Sequence, residues 1–235
     1  MVTLISSCID PFSPVDETIK SFITFNERLE QTTNTIKVLN TYPLNRLYLL
    51  DNSYNYDCSD LANLFSEKLK IVNFKQYQFT NKGINELLML LGVVDDLPDN
   101  EAIFKISGRY LPNEHFDCDI ADGYDFKIIA SDFYSKKGTM STRAYFVANK
   151  IIYKEFLLRC LNEVFIYPQR IVGIRSALNS IKQILKPVST TQSNTSIEFA
   201  SARVLKAGKY KIQFTDRMGI EGKIAGFKQT ETVSE

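Results

Sequence analysis

The run Lys105-Ile106-Ser107-Gly108-Arg109 sets two cations on either side of a glycine at the end of an apolar segment. Lysine and arginine so placed can neutralise a diphosphate, and the glycine lets a backbone approach closely. Asn81-Lys82-Gly83 stands before a periodic apolar run and reads as a helix start. Backbone N–H groups and the positive end of the helix dipole favour an anion there, and Lys82 adds a full charge. Ser6, Ser7 and Asp10 close the first apolar segment, and Asp51-Asn52-Ser53 closes the second. A carboxylate such as Asp51 can accept hydrogen bonds from a base or a ribose, although Asp-Asn-Ser is also ordinary turn chemistry.

Other chemistries are poorly provided for. His115 is the single histidine, so a Ser-His-Asp or Cys-His hydrolase would rest on it alone. Cys8, Cys58, Cys118 and Cys160 are dispersed without a CxxC pair, which argues against structural zinc and for free thiols in a reducing cytoplasm. Lys+Arg 28 against Asp+Glu 27 leaves a net charge of +1, too balanced for a protein organised around a nucleic-acid backbone. The longest apolar run, Leu87–Val94, falls well short of the ~18 residues that span a bilayer. The opening MVTLISSCI lacks a basic leader and reads as a strand, not as a signal peptide.

The elements that must carry these groups follow from periodicity. With 235 residues, 44% of them hydrophobic, the chain can bury one sizeable core. Strands are expected at Val2–Ile9, Arg46–Asp51, Lys70–Phe74, Ala102–Ile106, Tyr124–Ala130 and Tyr145–Ala148. Helices are expected at Phe25–Leu39, from Ser59 through Phe65 and Leu69, from Lys82 to a stop at Gly92, at Lys150–Glu163 and over 170–185. The tail from Ile197 to Phe214 reads as two strands about Ala207-Gly208, followed by a polar, glycine-punctuated end. The alternation implies an α/β fold, a mostly parallel central sheet flanked by helices with a short β-rich tail. Residues 1–186 form the main part, and 187–235 hold a linker (187–196) and the tail of the same domain. In such sheets ligands bind beyond the carboxyl ends of the strands, where the groups above gather.

The order of LYLLDNS, NKGINELLMLLG and EAIFKISGRY resembles the GT-A glycosyltransferases, in particular the family-2-like nucleotide-sugar transferases, over about residues 2–110. The resemblance implies a single GT-A-like, Rossmann-like domain that takes a nucleotide-sugar donor and acts on a surface-polysaccharide or lipid-linked glycan acceptor. The expected location is cytoplasmic; the tail from Arg203 to Lys228 is rich in lysine and arginine and could lie at the inner face of an anionic membrane, a peripheral association, although a solvated basic edge is the commoner explanation. Ser6, Asp10, Asp51, Asn52, Lys82, Lys105, Ser107, Arg109 and Arg143 would then contact the donor. Glu163, near where the family carries an acidic residue beside the acceptor, and Asp132 are the candidates for deprotonating the acceptor hydroxyl.

The sequence departs from the family at the metal site. Ile106-Ser107-Gly108-Arg109 stands where an Asp-x-Asp would hold a divalent ion. One account has Lys105 and Arg109 replace the metal, so that no cofactor is needed. The other has Asp117 and Asp119 serve as a displaced pair for Mg2+ or Mn2+, against the plain reading of an acidic turn. A nucleotidyltransferase, and a non-catalytic relative that binds a glycan or partner, are the remaining readings. The first of these would carry a glycine-rich stretch after strand one, where this chain has SSCIDPFSP.

Overall fold

A computed structural model describes residues 1–11, 23–65, 68–75, 81–135, 138–164, 195–223 and 232–235, with 174, 177, 178 and 181. Val2–Ser7 (β1) leads into Phe25–Leu39 (α1), Arg46–Asp51 (β2), a 3-10 helix over Cys58–Leu64, and Leu69–Asn73 (β3). Lys82–Val94 (α2), Ile103–Ser107 (β4), Tyr110–Pro112 (β5), Phe126–Ile129 (β6) and Ala130–Phe133 (α3) follow. Ala144–Val147 (β7), Lys150–Val164 (α4), Ile197–Ala207 (α5), Ile212–Thr215 (β8), Ile220–Lys223 (β9) and Thr232–Ser234 (β10) complete it. No helix among the described residues is long and apolar enough to cross a membrane.

Seven strands form the central sheet in the order β3-β2-β1-β4-β7-β6-β8. Neighbours β3, β2, β1 and β4 are parallel, β7 runs against β4 and β6, and β8 is parallel to β6. The fold is therefore α/β with a mostly parallel sheet between helices. Strand pleating sends Val2, Leu4 and Ile103 to the core under α2, α4 and α5, and Ile5, Phe104 and Ile106 to the core under α1. Antiparallel β5, β9 and β10 form a separate small sheet.

Local chemistry sets the helices. Thr24 and Glu27 form a reciprocal capping box at the start of α1. Asn81 caps α2 by accepting from the Gly83 N–H at 2.9 Å. Gly92 does not stop α2, which runs on to Val94. A Cβ there would lie 2.6 Å from the Phe74 ring, so Gly92 is a packing glycine.

The tail is the larger correction. Residues 197–207 are helical, not a strand: Ser196 caps the helix, and Ile197, Ala200, Ser201, Val204 and Leu205 bury one face at helical spacing. Within the expected tail only Ile212–Thr215 is a strand, and it joins the central sheet beside β6. Asp57 rather than Ser59 caps the 3-10 helix, which ends before Leu69. The helix expected over 170–185, most of the linker 187–196 and the 186/187 boundary lie outside the described residues.

Candidate functional site

Strands β1, β2, β4 and β6 point the same way, so their carboxyl ends share one edge of the sheet. Helix α2 starts there, and α5 starts beside it: Asn81 Nδ2 donates to the Thr195 carbonyl at 3.1 Å, and a Cβ on Gly83 would lie 2.8 Å from the Ile197 Cβ. Helix α4 begins at the opposite edge, where Lys150 Nζ donates to the Leu97 carbonyl at 2.8 Å, and it therefore ends near the shared edge with Glu163.

Three cations meet at this edge. Arg28, from the first turns of α1, is only 8% exposed and donates from Nη1 to the Cys8 carbonyl at 2.9 Å. Lys82 is the first residue of α2, and Arg109 lies in the turn between β4 and β5. Burial lowers the Arg28 pKa first and the Arg109 charge lowers it further. Lys82 is solvent-exposed by area, yet its pKa is lowered by desolvation of the ammonium first, then by Arg28, with Arg109 adding to the effect. The Arg109 charge is thus felt at Arg28 and at Lys82, and the Arg28 charge at Lys82, while Asp51 partly offsets the effect at Arg28. Among the described residues, neither the Lys82 nor the Arg109 side chain makes a hydrogen bond or an ion pair. Cys8 sits among them with its thiol pushed up to about 12 by burial and then by Asp51, so it is a neutral neighbour.

Several residues nominated from sequence do other work here. Asp51 is 1% exposed; its carboxylate accepts from the backbone N–H of Ile9 at 3.2 Å and of Ser53 at 2.8 Å. Asp10 accepts from the Asn55 N–H at 3.0 Å, and its own N–H donates to Ser53 Oγ at 2.8 Å. The Asn52 N–H donates to the Ser7 carbonyl at 3.2 Å. Asp10, Asp51 and Asn52 therefore lock the loop after β1 to the loop after β2, and Asp51 is not free to read a base. Lys105 is the sharper correction. It is 1% exposed, forms an ion pair with Glu86, and donates to the Thr142 carbonyl. Its charge is spent inside the fold and does not reach a diphosphate. Arg143 pairs with Glu235, with its guanidinium 5.8 Å from the Tyr110 ring centroid, so it too is neutralised. Ser6 donates to Glu86 at 3.0 Å, while the Ser107 N–H donates to the Arg143 carbonyl at 2.7 Å. Gly108 admits not a ligand but α1: a Cβ there would lie 3.1 Å from Thr32 Oγ1, and Thr35 Oγ1 lies 3.1 Å from the Gly108 carbonyl.

The described donors at the end of β4 do not fit a divalent ion. At the end of β4 stand a hydroxyl and a cation where hard carboxylates are needed. Asp117 accepts from Lys127 Nζ at 2.9 Å, which holds its carboxyl below the usual range, and from the Asp119 N–H at 3.2 Å. The alternative pair Asp117 and Asp119 is thus an acidic turn tied to a buried lysine. No group of three or more His, Cys, Asp or Glu gathers for a metal among the described residues.

Beyond β4 along the same edge opens a cavity of about 640 Å³, lined among others by Asp132, Thr142, Arg143, Ser196, Glu198 and Phe199. Asp132 follows β6, two strands from β4, so at a strand spacing of ~4.8 Å the two lie about 10 Å apart. Its carboxylate makes no hydrogen bond or ion pair with the described residues. Glu163, half-buried at the end of α4, does not line the cavity. Sequence reasoning missed Arg28 and Glu86. Their signals were a polar stripe at Arg28, Thr32 and Thr35 on an otherwise amphipathic helix, and the single charge within the run Ile84–Val94.

No family model matches the chain, and no curated protein matches it significantly in sequence. Among solved structures it is similar to a nucleoside-diphosphate-sugar pyrophosphorylase from Vibrio cholerae, at 9% identity and a TM-score of 0.49 over 97% of this chain and 96% of that one. It is also similar to the galactosyltransferase LgtC, solved with donor and acceptor sugar analogues, at 7% identity and a TM-score of 0.46 over 92% and 73%. A third is the inositol-1-phosphate CTP transferase of T. maritima, at 13% identity and a TM-score of 0.44 over 91% and 83%. Superpositions this loose carry no activity over to this chain.

Proposed function

We propose that the chain is a nucleotide-sugar-dependent glycosyltransferase whose donor diphosphate is held by side-chain cations rather than by a metal. The observation that carries this reading is the meeting of Arg28, Lys82 and Arg109 at the carboxyl edge, two of them without a described counter-ion. Like charges brought together at a cost in electrostatic energy are relieved when a dianion sits between them. The N-terminus of α2 adds partial positive charge on the same side.

In the reaction, the bond between the anomeric carbon and the diphosphate oxygen breaks, and its electron pair leaves with the diphosphate. Lys82 and Arg109 stabilise the charge that grows there. An acceptor hydroxyl oxygen forms the new bond to the anomeric carbon, and its proton passes to the Asp132 carboxylate. Asp132 is preferred to Glu163 because it lines the neighbouring cavity and Glu163 does not. The acceptor, a surface polysaccharide or a lipid-linked glycan, follows from the sequence resemblance.

The test is calorimetry and thermal shift with uridine, guanosine, cytidine and adenosine diphosphates and their sugars, with and without EDTA. The expected result is binding of at least one diphosphate that survives chelation and is lost in Lys82→Ala/Arg109→Ala. Stabilisation by a nucleoside triphosphate with Mg2+ alone, with pyrophosphate release, would move the chain to the nucleotidyltransferases. No response to any nucleotide would refute both.

A further inference from the structure

The run from Val164 to Ile197 contains no aspartate or glutamate, yet it holds Arg170, Arg175, Lys182 and Lys186. Those four cations exceed the net charge of +1 for the whole chain, so the rest of the molecule is net acidic. Within this run Ile174, Leu178 and Ile181 are helical and open to solvent, at 83%, 53% and 51% exposure. One exposed aliphatic residue is ordinary, but three at i, i+4 and i+7 make an apolar stripe. Helical spacing sets Arg175, Lys182 and Lys186 along one flank of that stripe and Arg170 along the other. The exposed Ile151 and Leu158 of α4 have different surroundings: Lys154 there pairs with Asp95 and Arg159 with Glu155, so the charges balance.

We infer that the stripe Ile174, Leu178 and Ile181 is an interfacial anchor that docks on an anionic phospholipid surface. The aliphatic side chains enter the boundary of the acyl chains, while the flanking cations reach the headgroup phosphates on their methylene stems. Each lysine or arginine near such a surface contributes about fivefold in affinity, and no carboxylate in the run opposes them. Cations at this spacing keep the segment on the surface and out of the bilayer core. A second copy of the chain is a poor occupant, because it would set the same cations face to face. The core of a protein interface is marked by aromatic and methionine anchors, and the sequence has none between Pro168 and Glu198. The segment is also distinct from the basic tail Arg203–Lys228, whose cations are interspersed with Asp216 and Glu221. The inference does not rest on the nucleotide-sugar reading and adds a surface whatever the carboxyl edge of the sheet binds.

The test is flotation of the full chain with vesicles of phosphatidylcholine alone and of phosphatidylcholine with phosphatidylglycerol in equal parts, at low and high salt. The native chain should float with the anionic vesicles at low salt, and its partitioning should fall tenfold or more on neutral vesicles or at high salt. Ile174→Gln/Leu178→Gln should lose tenfold or more on the anionic vesicles with an unchanged melting point. Ile151→Gln, an equally exposed aliphatic site, and Arg203→Gln/Lys209→Gln in the tail should stay within twofold of the native chain. Failure to float, equal flotation with both vesicles, or retention of binding in Ile174→Gln/Leu178→Gln overturns the inference. Early melting of that variant overturns it too, since the stripe would then be packed within the fold. Loss of binding in Arg203→Gln/Lys209→Gln alone moves the contact to the tail and likewise overturns it. Lipid-free self-association in the ultracentrifuge that Ile174→Gln/Leu178→Gln abolishes would give the stripe to a second copy and reject the lipid surface.

Discussion

Replacing Lys105 and replacing Arg109 should have opposite consequences, although the two residues lie four apart in one motif. Arg109 makes no described ion pair and raises the local positive potential against Arg28 and Lys82. Arg109→Ala should therefore leave stability within about 0.5 kcal/mol, the usual span for such a site, or a melting shift under ~2 °C. A charge-assisted hydrogen bond to a diphosphate is worth about 1.5–3 kcal/mol. At ~1.4 kcal/mol per decade, that loss is about 10- to 150-fold in diphosphate affinity.

Lys105→Met removes the partner of Glu86 and the donor to Thr142 inside the fold. Breaking a buried ion pair costs about 3–5 kcal/mol. Glu86 retains some contact with water, which favours the lower end. About 3 kcal/mol corresponds to a melting point lower by roughly 6–12 °C in a chain of this length. Differential scanning fluorimetry and isothermal titration, run on both variants at low ionic strength, give the four numbers. If Arg109→Ala melts early while its folded fraction binds diphosphate normally, and Lys105→Met does the reverse, the assignment of the two cations is wrong.

Two further outcomes can be checked. The Lys82 pKa is lowered from 10.5 by burial and by Arg28, so just below 10.5 the unfolded chain binds more protons than the folded one and the group's contribution to stability rises with pH. A bound diphosphate reverses the shift, so titrations there in buffers of different ionisation enthalpy should show proton uptake. Asp117→Asn/Asp119→Asn should leave diphosphate binding and its response to EDTA unchanged, since Lys127 is the partner of Asp117. The small stability Asp117 gives is present above 3.8 and lost as pH falls through its lowered value, so the double variant should melt like the native chain only in acid.

The alternation of β1, α1, β2, β3, α2 and β4 was legible because each element carries a regular apolar period and the turns between them are polar. Helix α5 was misread as a strand: Ile197, Ala200, Ser201, Val204 and Leu205 carry a helical period, but Ala207-Gly208 suggested a hairpin turn where it is a helix end. The site was harder. Strand parity puts Ile103 and Lys105 on one face of β4, but only the packing of α2 reveals that Glu86 waits opposite. Arg28 was hidden because it is a buried charge on a helix read for its apolar residues. Whether a cation at a strand end meets a carboxylate or open space depends on contacts far apart in the chain, such as residues 86 and 105, and local pattern does not encode those.

The division of labour among the charges explains how such an edge could work without a bridging ion. On the proposed reading the cations take the part a bridging metal would otherwise play, so the fold must hold them still. The means are visible on both sides of β4. Towards β1, the Gly108 N–H donates to the Ser6 carbonyl at 2.8 Å, and Ser6 Oγ donates to Glu86. Towards the cavity, the Ser107 N–H donates to the Arg143 carbonyl at 2.7 Å, and Lys105 ties Glu86 to the Thr142 carbonyl. Thr35 Oγ1 lies 3.1 Å from the Gly108 carbonyl and 3.0 Å from that of Tyr110, clamping α1 over the turn that carries Arg109. The buried Lys105–Glu86 pair is thus a strut between the cation cluster and the cavity wall. It joins the end of β4 to α2 and to the Thr142 backbone in the cavity wall, the kind of rigid support that the proposed transfer would need.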